Sequence, residues 1–298
     1  VLQGASLAAS VVCARAMVRD LYEPPQGAHV MSQALTGLGL IAVCSPPLGG
    51  LLAGWLGWRA TLAAVATVGF GVLLFIGLLW PETLPSRNAR ALKVRPLIAA
   101  ASEVLRNRTF LAWSGLTAAT YGGLFTVLAA SSFVYIQVFG LSPGEYGLAM
   151  SGGSLSYLLG TVACRRLLVH HGLVGTVRRG AWLSLAGGVG GATMIAAGVQ
   201  SAWVVFAAHL LYGFGHGIHQ PCAQVGAVGP FPKMAGLASA LAGFLLALIA
   251  FLVGLWLGQA MDGTVRPLAY GLAFWAVMTA LIAWTLVRRH GEVSAATT

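Results

Sequence analysis

The sequence predicts an all-α membrane protein, and three observations carry that prediction. Hydrophobic residues make up 58% of the 298 positions and charged residues only 8%, whereas ordinary soluble domains carry about 25% charged residues. Mean hydropathy is +0.83. The apolar residues also gather into runs of roughly 20, the length that crosses the hydrocarbon core of a bilayer as a helix.

Nine such runs follow one another: 1–18, 30–54, 59–80, 108–138, 144–168, 179–198, 203–229, 234–260 and 267–287. The first begins at Val1, inside an apolar stretch and without Met or a signal peptide, so the chain is read as N-terminally incomplete. The second carries Pro46, Pro47, Gly49 and Gly50. It is separated from the third by a tight turn at Trp55–Arg59. The long connection is 81–107. Its opening, Pro81–Ser86, reads as a turn, and Pro96 suits the first position of a helix. Leu97, Ile98, Ala101, Val104 and Leu105 share one face of that helix. It is either an amphipathic helix on the membrane surface or an extension of the fourth run. The Gly187-Gly188 and Gly190-Gly191 pairs of the sixth run, with no strand before them, are helix-packing positions rather than a phosphate loop.

The net charge of +10 resolves into a topology. Alternate gaps collect 15 of the 17 Lys and Arg residues, all but Arg59 and Arg266. That asymmetry places the basic gaps and the C-terminus in the cytoplasm. Scattered between apolar runs, these charges form no nucleic-acid surface. Cys13, Cys44, Cys164 and Cys222 stand alone in apolar surroundings without ligand spacing, which makes them packing residues. No metal site and no cofactor are expected. No catalytic motif occurs: H-E-x-x-H, G-x-S-x-G and the P-loop are all missing, so the chain is not read as an enzyme.

Three runs precede the long connection and six follow it. Six spans complete one half of the twelve-helix transporter fold made of two six-helix bundles. The expected organisation is three spans of a first bundle (1–80), a cytoplasmic linker (81–107), a six-span second bundle (108–290) and a cytoplasmic tail (291–298), with nine of twelve helices present.

Several stretches resemble the major facilitator superfamily, and within it the bicyclomycin/chloramphenicol-resistance (Bcr/CflA) branch of drug:proton antiporters. Leu2–Tyr22 is similar to that branch's fourth span and following loop. Ser45–Arg59 (SPPLGGLLAGWLGWR) resembles the fifth-span antiporter motif, with Pro46, Gly49 and Gly50 matching and Ser45 in place of the first glycine. Pro81–Arg87, Ser131–Leu148 and Ala235–Gly243 resemble the opening of the central loop, the end of the seventh span and the start of the eleventh. In the loop after the eighth span, Gly160, Arg165, Arg166 and Gly172 match, but Cys164 stands where an acid is common. The resemblance implies the major-facilitator fold and drug export. It makes Arg19, Asp20, Arg165 and Arg166 candidate cytoplasmic gate residues.

The residues themselves offer three candidate regions. Pro46 bends its helix, and Gly49 and Gly50 admit a neighbouring helix, so these three suit a seam or pivot between bundles as well as plain packing. His209, Tyr212, His216, His219 and Gln220 recur at helical spacing on one face of 203–229. Ionisable groups in a span are costly and favour a cavity, and histidine exchanges protons between pH 5 and 8. Structural hydrogen bonding, a substrate or proton pathway, and metal binding compete for this stripe. A third face, Thr117, Tyr121, Phe125, Leu128, Ser132 and Tyr135, mixes aromatic and hydroxyl groups as a drug cavity does, or as an ordinary packed face does. Gln3 and Gln33 are further cavity candidates. No Asp or Glu lies mid-span, so a proton carrier is expected in spans before Val1 or, failing that, in the histidine stripe.

The function expected is export of small amphiphilic drugs or metabolites by proton antiport with alternating access. The partners are the small-molecule substrate, protons and the lipid bilayer, with no nucleic acid. The protein is expected as a monomer in a bacterial inner membrane. A metal or metabolite exporter using His209, His216 and His219, and a non-transporting remnant, are the alternatives.

Overall fold

The computed structural model describes residues 24–81, 94–231 and 234–292, together with residues 4, 6, 9, 10, 13, 14, 17 and 21. The described elements are helices: α1 (Pro24–Leu79), α2 (Val94–Arg106), α3 (Arg108–Ser132), a π-helical turn (Phe133–Val138), α4 (Pro143–Ala196), α5 (Ala202–Val228), α6 (Ala235–Ala260), α7 (Arg266–Trp284) and the short α8 (Leu286–His290).

Two of these helices are longer than any single run. Both are broken by a glycine whose backbone no other residue adopts cheaply. Gly57 (φ 80°) divides α1 at the turn expected between Trp55 and Arg59, where the Arg59 guanidinium sits 4.5 Å over the Trp58 ring. Gly172 (φ 60°) divides α4 between its arms 143–171 and 173–196. The fifth and sixth apolar runs fall one on each side of that break.

Among the described residues, four segments are long and apolar enough to cross a membrane: Gly39–Leu79, Arg108–Val138, Ala235–Ala260 and Arg266–His290. That is fewer than the nine runs read from the sequence. The first run lies mostly outside the described residues, and the second and third join in Gly39–Leu79; the rest of the difference has a physical source. Three histidines dilute α5, and Arg165, Arg166, Arg178 and Arg179 crowd the middle of α4.

The two readings of the long connection are separated by a cap. Asn107 lies between α2 and α3, and its side-chain oxygen accepts the Phe110 N–H at 3.0 Å. α2 therefore ends at Arg106 and is not an extension of α3. Val104 is buried in the core while Leu97 and Ile98 remain exposed, so the helix is pinned at one end and presents apolar side chains outward.

The helix packing is inside-out relative to a soluble protein. Trp203, Phe244, Phe251 and Phe274 lie exposed on the outer surface. Thr120, Thr126, Thr176, Ser184, His209, His216, His219 and Thr279 are buried. An exposed apolar surface of this extent is costly in water and natural in lipid.

The two arms of α4 hold α5 from opposite sides. The first arm runs parallel to α5 and approaches it closely at Gly160 and Gly217. A Cβ at either position would run into the other helix's backbone, at the Phe214 carbonyl and the Tyr157 carbonyl respectively. The second arm runs antiparallel, with Gly180 beside Ile218 and Gly187 beside the Ala208 carbonyl.

The α8 end is closed by tryptophans. Buried Trp113 donates its indole N–H to the Gly291 carbonyl (3.1 Å), and Trp284 donates to the Arg178 carbonyl (3.0 Å). Replacing Trp113 by Phe removes one buried hydrogen bond and orphans its acceptor. It is expected to cost about 1–3 kcal/mol, read as a lower melting temperature of the detergent-solubilised protein. At the opposite end, Ser142 and Glu145 form a capping box at the start of α4. In the α6–α7 loop Asp262 accepts from the Thr264 N–H and O–H, which holds its carboxyl below the usual range.

Candidate functional site

The proline-glycine stretch of α1 lies against the start of α4. The two segments run antiparallel. Gly39 meets Leu158, the Val43 carbonyl accepts from Ser151 Oγ at 2.6 Å, Pro46 meets Gly147, and Gly50 meets Pro143. The last two contacts are backbone to backbone: a Cβ on Gly50 would strike the Pro143 carbonyl, and one on Gly147 would strike the Pro46 carbonyl. Pro46 and Pro47 donate no N–H, so the α1 carbonyls one turn earlier lose their helical partners. Ser151 supplies one of them, Val43. Pro46, Gly49 and Gly50 also wall an apolar cleft of about 450 Å³ that Leu128, Ile136, Tyr146 and Met150 complete.

The histidine stripe of α5 points inside the helix bundle. His209 packs on Gly153, and its Nδ1 has no partner. Tyr212 is fully buried and donates its hydroxyl to the Thr120 carbonyl (3.0 Å). His216 Nδ1 lies 3.0 Å from Thr120 Oγ1, and its Nε2 is unpartnered. His219 donates from Nε2 to the Val177 carbonyl (3.1 Å), leaving Nδ1 unpartnered. Each imidazole thus has its own neighbours. Among the described residues no three His, Cys, Asp or Glu side chains come together as a metal site.

The predicted face of α3 divides. Thr117 and Tyr135 are buried, Tyr121 and Phe125 are half-buried, and Leu128 and Ser132 are exposed. Ser132 lies where α3 gives way to the π-helical turn. Tyr121 and Phe125 instead join the α5 stripe. Their ring centroids are 6.2 Å apart, and Tyr121 lies 6.5 Å from His216.

Five of the eight cavity candidates therefore belong to one region: Tyr121, Phe125, Tyr212 and His216, with Gln220 half-buried one helical turn beyond His216. Two members were missed from sequence. Tyr157 of α4 stacks 5.5 Å from His216, and Thr120 of α3 holds both Tyr212 and His216. No single-helix periodicity announces them, because their partners lie on other helices.

Arg165 and Arg166 are exposed in α4 ahead of the Gly172 break. Gln3, Arg19 and Asp20 lie outside the described residues. Gln33 lies in α1, with its side chain outside them.

The sequence profile of the Major Facilitator Superfamily matches residues 1–255. The chain belongs to the major facilitator superfamily. The backbone agrees with that membership. A solved bacterial homolog of the human lysosomal transporter Spinster, in an inward-facing and unoccupied conformation, superposes with a TM-score of 0.63 at 13% identity. The match covers 95% of this chain and 76% of that one.

Curated superfamily relatives include the Bicyclomycin resistance protein homolog of Haemophilus influenzae, 21% identical over 301 residues (97% of this chain, 72% of the relative). The Multidrug resistance protein MdtL of Salmonella typhi is 30% identical over 257 residues (81% and 60%). The MFS-type transporter YdgK of Bacillus subtilis is 25% identical over 162 residues (54% and 40%). The chain thus spans 40% to 72% of the length of these relatives. Two of these names, the bicyclomycin-resistance homolog and MdtL, carry drug resistance, as does the branch that the motifs resemble.

Proposed function

We propose that the full-length protein exports small amphiphilic drugs or metabolites by proton antiport, with alternating access across a bacterial inner membrane and its C-terminus in the cytoplasm. The observation that carries this reading is the antiparallel contact of Gly50 and Gly147 with the opposite backbone, made by the stretch that resembles the antiporter motif. Two helices in backbone contact, one of them freed from regular hydrogen bonding by paired prolines, form a thin dry seam about which bundles rock. The two drug-resistance relatives support the substrate class. The histidine–tyrosine region on α3, α4 and α5 supplies aromatic area for affinity and few polar groups for orientation, as drug cavities do.

In this reading Arg165 and Arg166 belong to the cytoplasmic face and contribute to its gate. The protein acts as a monomer embedded in lipid.

The test is drug accumulation in cells expressing the full-length gene, with and without a protonophore. Expression lowers accumulation, and the protonophore restores it to the level of cells carrying the empty vector. Accumulation that is indifferent to expression sinks the export reading. Accumulation that stays low with the protonophore sinks proton coupling.

A further inference from the structure

Two tryptophans stand side by side on the outer surface of the bundle. Trp182 of α4 and Trp284 of α7 have ring centroids 4.7 Å apart, and Trp182 is 65% exposed. Trp284 donates its indole N–H to the Arg178 carbonyl, whereas the indole N–H of Trp182 has no partner among the described residues. Gly188 abuts Ala276 farther along the same two helices, so the second arm of α4 and α7 run antiparallel. That register leads, one turn past the tryptophans, to Arg178 on α4 and Arg288 on α8. In the other direction Leu281, Val277 and Phe274 continue the Trp284 face of α7 at helical spacing, and all three are exposed. One surface thus passes from an apolar ridge through an aromatic pair to a basic edge. A bilayer leaflet has the same order, from acyl chains through the interface to the headgroups.

The basic edge lacks a countercharge. Arg178, Arg179, Arg288 and Arg289 are all exposed, and among the described residues none pairs with a carboxylate. Arg179 donates one N–H to the Gly175 carbonyl at 3.1 Å. Between residues 146 and 291 the only carboxylate is Asp262. It precedes α7, whose 19 residues set it about 28 Å from the tryptophan end. Glu292 follows α8, is exposed and joins none of the four arginines in an ion pair.

We infer that this surface binds a phospholipid carrying two phosphates, of the cardiolipin class. The phosphates lie between Arg178 and Arg288, flanked by Arg179 and Arg289. Trp182 donates its free indole N–H to an ester or phosphate oxygen, and the acyl chains lie along Leu281, Val277 and Phe274. A lipid with one phosphate neutralises less of the four-arginine edge. A zwitterionic lipid brings an ammonium to a cationic edge, so both bind more weakly. The bound lipid bridges α4 to α7 and α8 alongside the Trp284–Arg178 hydrogen bond. This inference rests on reading these helices as membrane spans and is independent of what the protein transports.

The test is native mass spectrometry of the purified full-length protein titrated with cardiolipin, phosphatidylglycerol or phosphatidylethanolamine. The wild type retains one cardiolipin at least about tenfold more tightly than either other lipid. Arg178→Gln and Arg288→Gln each weaken cardiolipin by about fivefold and together by roughly 25-fold, one near-surface cationic contact apiece. Trp182→Ala weakens it by about threefold. These side chains are exposed, and unchanged melting temperatures show that the variants are folded. The double variant Arg106→Gln, Arg108→Gln removes equal charge elsewhere and leaves cardiolipin within about twofold of wild type. Equal retention of cardiolipin and phosphatidylglycerol, or equal losses from the two double variants, reduces the surface to general basicity and overturns the inference. Cardiolipin binding indifferent to Arg178→Gln and Arg288→Gln overturns it as well. The expected pattern in a protein that fails to lower cellular drug accumulation upholds the lipid site while removing the export reading.

Discussion

Gly50→Leu is expected to raise drug accumulation in cells to that of cells lacking the protein. The added side chain has no free space on the α4 side, because even its Cβ would meet the Pro143 carbonyl. A backbone oxygen at a helix start cannot rotate away as a side chain does, so α1 and α4 must separate. Overpacking of this kind costs about 1–3 kcal/mol. Here that cost falls on the contact the proposal treats as the pivot. The bundle of α3 to α8 has its own buried clusters and keeps its fold. The readout is therefore specific: normal amount in the membrane, a melting temperature within a few degrees of wild type, and export lost. Gly49→Ala is the control. A Cβ at Gly49 meets nothing within 4 Å, and export is retained. Full export by Gly50→Leu would show that close contact at this seam is dispensable.

Gly217→Val acts on stability instead. Its side chain would drive into the Tyr157 carbonyl and the Gly160 Cα, forcing apart the parallel pair formed by α5 and the first arm of α4. That pair holds the His216 surroundings and the buried Cys164 and Cys222, whose sulfurs lie 3.4 Å apart. The expected loss is about 2–4 kcal/mol, an overpacked core together with the contacts forfeited by the displaced helices. It is measured as a melting temperature lowered by several degrees and as reduced protein in the membrane. A Gly217→Val protein as stable as wild type would mean that the two helices do not touch at that turn.

The fold was largely legible in the sequence. Apolar runs reflect the solvent, so lipid-facing residues such as Phe244 and Phe251 announce themselves by composition alone. The small residues of the Pro46–Gly50 stretch marked a close approach before its partner was known. The sequence could not name that partner, because Pro143 and Gly147 lie about a hundred residues away and are ordinary residues of a helix start. Helical spacing grouped Tyr212, His216 and Gln220 on α5 and Tyr121 and Phe125 on α3. It could not show that Thr120 joins the two helices, or that Tyr157 closes the region from α4. Periodicity reports which face of one helix is buried and says nothing about which helices meet there. Leu128 and Ser132 show the limit along a single helix: both lie on the expected stripe ahead of the π-helical turn and are exposed, while Tyr135 beyond them is buried. The nine runs are read by spacing, whereas the four strongly apolar segments among the described residues depend on average hydropathy, which the buried histidines of α5 and the exposed arginines of α4 lower.

Exchange of drug for protons is the central claim, and everted membrane vesicles containing the full-length protein test it most directly. Respiration acidifies their lumen, and an acridine dye reports the gradient by quenching. Adding chloramphenicol is predicted to recover fluorescence in a saturable manner, as protons leave the lumen in exchange for drug. Gly50→Leu vesicles give no recovery. Dye quenching that chloramphenicol leaves unchanged, in vesicles that nonetheless accumulate the drug, would contradict proton antiport.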